Sequence, residues 1–482
     1  MAINSDLVQQ LWGLCHILRD DGITYHQYVN ELSYLLFLKM AEETGAENTQ
    51  IPEGYRWSDL ASRQGVDQFK FYHNQLVTLG TEAPSAHLRA IFAYPTSLIR
   101  KPESLNVLVD KIDHLDWYRA KEEGLGDLYE GLLQKNASEK KSGAGQYFTP
   151  RALIDSMVSV MKPTPEDIIQ DPAAGTGGFL VAADRFIREH SSTDTWTSAL
   201  REKYTSATFY GMEHVQDTHR LALMNLMLHG IKSDPNGCGI RYGDTLGPDG
   251  QELPDATLFL TNPPFGTKTG GGLPTRSDLP FPTSNKQFSF LQHIYLKLVP
   301  GGRAAVVLPD NVLFEGGVGR QIRLDLMEQC NLHTILRLPT GIFYAQGVKT
   351  NVLFFTRGSS ATGNTGGVWV YDLRTNMPQF NKRVVLEQSH FLEFEHAFGD
   401  DPHGNDLARR RDAGETGRFR YFDRASISGN GEKLDLLWLQ EQEDGSSEDD
   451  PAVLAQEAID ELEAAVEELR SILELVGGDI PE

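Results

Sequence analysis

The sequence predicts an α/β fold: a seven-stranded, mostly parallel sheet wrapped by helices, between a helical N-terminal domain and a C-terminal coiled-coil helix. Apolar runs of strand length alternate with amphipathic helical stretches in the middle of the chain. A polar side chain follows each of four predicted strands, from Asp171 after the first to Asn262 after the fourth. The predicted domains are residues 1–138, 139–430 and 431–482.

The composition limits the class of protein. A chain of 482 residues exceeds one compact core, and 40% hydrophobic residues are enough for globular interiors. Cys15, Cys238 and Cys330 lie far apart without metal-ligand spacing, which predicts no metal site and a reducing, cytoplasmic location. No apolar run has membrane-spanning length and the polar N-terminus lacks a signal-peptide segment, so we expect no membrane contact.

The net charge of -23 is unusual for a protein that binds DNA unaided, because phosphate binding favours a basic surface. Two interpretations stay open at this point. Either DNA is not the substrate, or a partner provides much of the DNA contact.

The N-terminal domain has a helical pattern. Its first segment carries leucines at intervals of three and four residues, at Leu7, Leu11, Leu14 and Leu18. No catalytic motif occurs before residue 139, so we interpret this domain as one for packing and for binding a partner.

An Asn-Pro-Pro-Phe motif, residues 262–265, directly follows the apolar run of residues 256–260. The run predicts a buried strand that the prolines end, which places the motif where open α/β sheets bind ligands. The motif consists of Asn262, Pro263, Pro264 and Phe265. The Asn262 side chain offers a carbonyl acceptor, a proline carbonyl offers a second one, and Phe265 offers a flat face for stacking a nucleobase.

This motif resembles the catalytic loop of DNA amino-methyltransferases, most closely the adenine-N6 enzymes. The resemblance implies that Asn262 and the Pro263 carbonyl accept the hydrogens of an exocyclic amine, while Phe265 stacks on the extruded base. An isolated motif of this kind also fits a strand-ending turn with a core phenylalanine. Other segments of the chain are therefore needed to distinguish a catalytic loop from such a turn.

A second segment, Gly-Gln-Tyr-Phe-Thr-Pro, resembles the part of this family that closes over S-adenosylmethionine. The cofactor-binding residues implied here are Gln146, Tyr147, Phe148, Thr149, Pro150 and Arg151. Locally, we expect Thr149 to cap a helix that has Pro150 in its first position.

A glycine-rich loop follows the first predicted strand. It has neither the phosphate-binding Gly-x-x-x-x-Gly-Lys spacing nor a full Gly-x-Gly-x-x-Gly pattern, and its leading acid suits a ligand with a cationic amine. With S-adenosylmethionine as the ligand, Asp171 binds the ammonium and N–H groups near Gly177 bind the carboxylate. The implied contacts of this loop are Asp171, Ala173, Gly175, Thr176, Gly177 and Gly178.

Two further strand-end acids complete the implied cofactor site. The resemblance assigns Glu213 to the ribose hydroxyls, the usual partner of an acid at the second strand. It assigns Asp244 to the adenine ring of the cofactor, although Gly-Asp is also a common turn.

The order of these motifs is that of gamma-type amino-methyltransferases, and the resemblance extends over almost the whole chain. It implies a Rossmann-like, seven-stranded S-adenosylmethionine-dependent methyltransferase sheet. The N-terminal domain resembles that of the methylation subunit of type I restriction-modification systems. The implied partners are double-stranded DNA, a specificity subunit that binds two methylation subunits, and a restriction subunit with motor activity.

Two stretches are expected to contact the target. Residues 266–284 are rich in Gly, Pro and Thr and carry Lys268 and Arg276, with Lys286 just beyond. We interpret them as a flap that meets nucleic acid, with ordinary disorder as an equal alternative. Residues 339–343 resemble the family's hairpin near the target base.

The C-terminal tail changes character after an acidic, serine-containing linker. Apolar residues recur in fours and threes at Ala455, Ile459, Leu462, Val466, Leu469, Leu473 and Val476. This narrow seam predicts a coiled-coil helix that needs a partner, or one that folds back on its own domain. The resemblance favours packing against helices of the specificity subunit.

The sequence therefore predicts a DNA adenine-N6 methyltransferase. Methylation of a protein glutamine amide and of cytosine N4 stay open as alternatives, because the same loop binds other planar amines. An inactive scaffold is disfavoured, since the set of Asp171, Glu213 and the motif is intact. Cytosine C5 chemistry is also disfavoured, because no cysteine follows a proline or a predicted strand end.

Overall fold

The computed structural model describes residues 5–20, 22–23, 25–139, 149–232, 238–266, 273–343, 348–378, 380 and 384–440. The chain divides into two compact units. The first consists of Met1–Glu139 and Lys162–Thr261, and the second of Lys140–Met161 and Asn262–Glu482.

Helices occur along most of the described part of the chain. They are α1 (Ser5–Gly13), α2 (Cys15–Asp20), α3 (Tyr25–Thr44), α4 (Glu47–Gln50), α5 (Trp57–Ala61), α6 (Gly65–Glu82), α7 (Ala86–Ile91), α8 (Pro102–Asp113), α9 (Trp117–Glu123), α10 (Leu125–Glu139), α11 (Arg151–Met161), α12 (Gly178–His190), α13 (Ser198–Ala207), α14 (Gln216–Leu228), α15 (Lys286–Lys297), α16 (Asn311–Phe314), α17 (Val318–Gln329), α18 (Leu392–Phe398) and α19 (Arg424–Gly429).

The described residues also form nine strands. They are β1 (Ile169–Asp171), β2 (Phe209–Glu213), β3 (Gly239–Tyr242), β4 (Ala256–Thr261), β5 (Leu298–Pro309), β6 (Cys330–Arg337), β7 (Thr350–Arg357), β8 (Gly367–Asp372) and β9 (Phe419–Asp423).

The first unit combines the N-terminal helices with four parallel strands. The four leucines of the predicted helical stripe are buried; Leu7 and Leu11 lie in α1, Leu18 lies in α2, and Leu14 lies between the two helices. Their core also includes Leu221, Leu223 and Met224 of α14, so the helical domain packs against a helix of the α/β region. The strands have the order β3-β2-β1-β4, and every pair is parallel. Their carboxyl ends therefore share one edge.

The second unit contains α11, the remaining five helices and strands β5 to β9. Its strands have the order β5-β7-β6-β8-β9. Only β6 and β8 run parallel, whereas β7 is antiparallel to both β5 and β6, and β9 is antiparallel to β8. Residues 304–309 of β5 and 352–355 of β7 are apolar and buried, which is typical of central strands covered on both faces.

The fold is mixed α/β, with a nine-stranded mixed sheet and an N-terminal helical domain. The predicted number of seven strands is wrong. The sheet is mixed, because four of the strand pairs named above are parallel and three are antiparallel. Strand β4 agrees with the predicted strand of residues 256–260. Strand β9 was not predicted, because its sequence, Phe-Arg-Tyr-Phe-Asp, contains charged residues and no continuous apolar run. Trp369 of β8 stacks on Phe419 of β9, with 4.8 Å between the ring centroids. This tertiary contact stabilises β9, whose own sequence has no clear strand pattern.

The coiled-coil residues from Ala455 to Val476 lie outside the described residues. In the part of the chain that the structure describes, no helix is long and apolar enough to cross a membrane.

Candidate active site

The side chain of Asn262 is held in a defined orientation immediately after β4. Asn262 is 8% exposed, and its Nδ2 donates a hydrogen bond to Thr149 Oγ1 at 3.0 Å. Within the described residues, its Oδ1 is buried without a hydrogen-bond partner. A buried acceptor left unsatisfied costs about 1–3 kcal/mol, so this atom suits a donor that arrives with a ligand.

The aromatic residue of the motif has a second ring beside it. Phe265 is half-buried, and its ring lies edge-on to buried Phe343, with centroids 6.4 Å apart and planes at 81°. Phe343 ends the 339–343 segment, so the structure brings the motif and the predicted hairpin loop together. Gly266, with φ of +93°, directly follows the motif, and its N–H donates to the Gln287 side chain of α15 at 3.0 Å.

Asp171, the last residue of β1, is almost fully buried. Its Oδ1 accepts hydrogen bonds from the Ala173 N–H at 3.1 Å and from the Thr261 hydroxyl at 2.6 Å. Burial raises the pKa of this carboxyl to about 7, the hydrogen bonds from Thr261 and Ala173 oppose the rise, and the nearby Glu213 charge adds to it. Thr261 was not predicted as a site residue. Its position could have indicated this role, because it directly precedes Asn262 at the end of a strand next to β1.

Glu213, the last residue of β2, holds the glycine-rich loop in place by a hydrogen bond. One carboxylate oxygen accepts from the Gly175 N–H at 2.9 Å and the other from the Val215 N–H at 2.8 Å. Burial raises the pKa of Glu213, and these backbone hydrogen bonds oppose the rise. The structure therefore brings two of the predicted cofactor-binding segments into direct contact.

The glycine-rich loop turns sharply into α12. Gly175 and Gly177 have φ of +54° and +84°, a region that favours glycine. Gly177 occupies the N-cap position of α12 and contributes no side-chain cap. A Cβ there would lie 3.2 Å from Ile240 of β3. A 13-residue helix that starts in this way presents backbone N–H groups to an anion.

Asp244 forms a turn close to the same loop. Its Oδ1 accepts from the Leu246 N–H at 2.9 Å, a local bond that a turn alone explains. The neighbouring Thr245 hydroxyl donates to the Pro172 carbonyl at 2.6 Å. The turn after β3 is thus joined to the glycine-rich loop.

The predicted helix start at Thr149 and Pro150 needs correction. Residues 146–148 lie outside the described residues. Helix α11 begins at Arg151, and the Pro150 carbonyl accepts the first helical hydrogen bonds, from Leu153 and Ile154. Pro150 therefore precedes the helix rather than occupying its first position, and the Thr149 side chain binds Asn262 instead.

The predicted nucleic-acid contact by Arg276 is wrong. Its guanidinium is fully buried, donates twice to Asp278 and donates to His293 Nδ1 at 2.6 Å. An arginine committed in this way does not reach DNA phosphates. Lys268 lies outside the described residues, and Lys286 begins α15.

One group of side chains outside these segments has ligand types that can bind a metal ion. Single ligand atoms of Asp127, Glu130 and His229, in the first unit, lie within 4.8 Å of one another. None of these residues belongs to the segments predicted to bind cofactor or base.

The chain matches two families. N-6 DNA methylase matches residues 120–435, and the HsdM N-terminal domain matches residues 7–115. Since the first match covers more than half of the sequence, the chain belongs to the N-6 DNA methylase family.

Similar proteins narrow this class. The type I restriction enzyme StySPI methylase subunit of Salmonella potsdam is 49% identical over 99% of this chain and 96% of its own length. The crystal structure of the EcoKI M protein, from an Escherichia coli type I restriction enzyme, has a TM-score of 0.57 and 44% identity, covering 98% of this chain and 97% of that one. A structure on complex assembly of the type I restriction-modification system has a TM-score of 0.73 at 25% identity, covering 98% of both chains.

This protein is the modification subunit of a type I restriction-modification system, an adenine-N6 DNA methylase. The sequence-based prediction of function is confirmed. The protein-amide and cytosine-N4 alternatives are set aside.

Proposed function

We propose that the Asn-Pro-Pro-Phe motif binds the amino group of an adenine that has left the DNA helix, and that S-adenosylmethionine donates the methyl group. The observation that carries this proposal is the buried, unpartnered Oδ1 of Asn262. An adenine amine supplies the donor that this atom lacks. Half-buried Phe265 offers a face to the base, and stacking returns about 1–3 kcal/mol of the few kcal/mol that extrusion costs.

The proposed cofactor site uses the edge where β1, β2 and β3 end. Asp171 binds the ammonium, and the N–H groups at the start of α12 bind the carboxylate. Glu213 already accepts two backbone hydrogen bonds, but each carboxylate oxygen has further lone pairs for the ribose hydroxyls. Asp244 contacts the adenine ring, and residues 146–151 complete the site. Thr149 contributes its backbone there rather than its hydroxyl, which binds Asn262.

The residues of this chain orient the reaction rather than form covalent bonds with the substrate. The adenine amine is a weak nucleophile, because its lone pair is delocalised into the ring. Two acceptors, Asn262 Oδ1 and the Pro263 carbonyl, draw its hydrogens to one side and direct the lone pair to the other. When bound, S-adenosylmethionine would supply an electrophilic methyl. The amine nitrogen would attack this carbon in line as its bond to sulfur breaks, with S-adenosylhomocysteine as the leaving group, and positioning would contribute most of the catalysis. The amide of Asn262 is not a base, so the amine proton leaves afterwards to solvent.

Substitution of Asn262 tests this assignment. Asn262→Ala should lower the rate of methyl transfer about 100-fold or more, since a preorganised polar contact of this kind contributes about 2.7–4 kcal/mol. The dissociation constant for S-adenosylmethionine should change little. Transfer of labelled methyl to unmodified DNA by the complex with its specificity subunit gives the rate, and calorimetry gives the affinity.

A matched control is available in the same unit. Asn364→Ala removes an asparagine that binds the Glu328 and Ser360 carbonyls, and it should leave the rate close to wild type. A wild-type rate for Asn262→Ala would remove the motif from the proposed reaction.

We also propose that a specificity subunit selects the DNA site and binds two copies of this chain, and that a restriction subunit joins the full complex. The net charge of -23 and the burial of Arg276 support a need for a partner in DNA binding. The isolated chain should bind S-adenosylmethionine but bind DNA weakly in gel-shift titrations. Tight, sequence-specific binding by the isolated chain would contradict the partner proposal.

A further inference from the structure

The torsion that orients an asparagine amide is intrinsically loose. The last side-chain torsion of Asn has a broad, roughly two-fold preference, so the residue type alone does not direct Oδ1 toward a substrate. A 180° rotation would exchange the acceptor Oδ1 for the donor Nδ2. A donor at that place would repel the amine hydrogens, so the reaction requires something that fixes the amide of Asn262.

The hydrogen bond from Asn262 Nδ2 to Thr149 Oγ1 is the contact that fixes it. Both residues are at least nine-tenths buried, and they are 113 positions apart in the sequence. In the observed orientation Nδ2 donates to the Thr149 oxygen and Oδ1 has no partner among the described residues. A hydroxyl can also donate, so Thr149 can hold the rotated amide through Oδ1 as well. Only the observed orientation leaves Oδ1 available to accept a hydrogen from the substrate amine.

Thr149 is itself held by rigid backbone. It precedes Pro150, whose ring restricts the backbone and whose carbonyl accepts the first two hydrogen bonds of α11. The far end of α11 is anchored as well, because Arg303 of β5 donates to the Met161 carbonyl at 2.8 Å. The Thr149 hydroxyl therefore has a fixed position from which to hold the amide.

We propose that Thr149 is a positioning residue for methyl transfer, whose hydroxyl holds the Asn262 amide with Oδ1 directed at the substrate amine. This role rests on the proposed function of Asn262. It is distinct from the cofactor contact that the resemblance implies for the same residue. A cofactor contact affects the binding of S-adenosylmethionine, whereas a positioning contact affects the rate once substrates are bound.

Two variants of Thr149 separate these roles. Thr149→Val replaces the hydroxyl by a methyl of similar shape, and it should lower kcat about 10- to 100-fold, because a misplaced catalytic group costs rates of that order. Thr149→Ser keeps the hydroxyl and should stay within about threefold of wild type. Neither variant should change the dissociation constant for S-adenosylmethionine by more than about threefold. The assay is single-turnover methyl transfer by the complex with the specificity subunit on unmodified DNA, with calorimetry for the cofactor.

Each outcome decides the proposal. A slow Thr149→Val with wild-type cofactor affinity and melting temperature, together with an active Thr149→Ser, supports the positioning role. A wild-type kcat for Thr149→Val, an equally slow Thr149→Ser, or a loss of rate matched by a loss of cofactor affinity overturns it. If Thr149→Val melts early, an inactive but stable Thr149→Ser still overturns the proposal. Failure of the proposed function is distinguishable, because it appears as a wild-type rate for Asn262→Ala.

Discussion

The Asp171→Asn substitution should stabilise the unbound protein and weaken the binding of S-adenosylmethionine. Asp171 is 1% exposed, and burial raises its pKa from the ordinary 3.8 to about 7. Asparagine has almost the same shape, and its carbonyl oxygen can still accept from Thr261 and Ala173. The substitution therefore removes the buried charge and keeps the local hydrogen bonds.

The stability effect follows from proton binding. Between pH 4 and 7 the folded protein retains a proton on Asp171 that the unfolded chain has released, so this group makes stability fall as pH rises through that window. A rise of about 3 pKa units corresponds to about 4 kcal/mol, reached above pH 7. At pH 8 the free energy of unfolding of unbound Asp171→Asn should exceed that of wild type by up to about 4 kcal/mol, as measured by urea unfolding.

Cofactor binding should show the opposite dependence on this carboxyl. The ammonium of S-adenosylmethionine requires the ionised form, so wild type releases a proton on binding below the pKa. The dissociation constant should rise about tenfold between pH 8 and pH 6. The Asp171→Asn variant should bind about 10- to 100-fold more weakly at pH 8, since a charged hydrogen bond contributes about 1.5–3 kcal/mol. Any pH dependence that remains in the dissociation constant of this variant reports on Glu213, because burial raises the pKa of Glu213 as well.

Calorimetric titrations at pH 6, 7 and 8 provide the measurement. Asp184→Asn is the control, because Asp184 is a buried aspartate of the same unit that binds Tyr204 and Arg188 instead. It should keep the wild-type pH dependence of binding. A wild-type dissociation constant that is equal at pH 6 and pH 8, or undiminished affinity in Asp171→Asn, would refute the assignment of Asp171 to the ammonium.

Three other variants have defined outcomes. Thr261→Val removes a hydrogen bond that lowers the pKa of Asp171, so the pH midpoint of cofactor binding should move upward; an unchanged midpoint would contradict this. Phe265→Ala should lower methyl transfer about 5- to 150-fold through lost stacking, whereas Phe265→Tyr should retain most activity, and similar rates for both would argue against stacking. Arg276→Ala should lower the free energy of unfolding by about 1–3 kcal/mol, because it removes the hydrogen bonds that the buried guanidinium donates to His293 and Asp278. The salt dependence of DNA binding by the complex should not change, and a shallower dependence would show that Arg276 reaches phosphate.

The sequence indicated those parts of the site that depend on local chain order. Asp171, Glu213 and the Asn-Pro-Pro-Phe motif each follow an apolar run, so their places at strand ends could be predicted from neighbours in sequence. The contact between Gly175 and Glu213 also follows, because parallel strands bring their carboxyl ends to one edge.

Other features depend on residues far apart in the chain. Nothing near Thr149 indicates that its hydroxyl binds a side chain 113 residues later. The burial of Arg276 requires Asp278 and His293 together, and a positive charge in a Gly-rich loop resembles a DNA contact equally well. The direction of the strands in the second unit could not be predicted from the sequence either, because an apolar run such as that of β7 has the same pattern in parallel and antiparallel pairs.

The core that α14 shares with the N-terminal helices affects how this protein can be shortened. Tyr129 of α10 and His87 of α7 contact the Met224 and Leu223 positions of α14, so removal of the helical domain would uncover this helix. Each leucine transferred to water would forfeit about 1.5–3 kcal/mol. A catalytic fragment beginning near residue 139 would therefore expose the apolar face of α14 and aggregate. The helical domain is thus a required part of the folding unit.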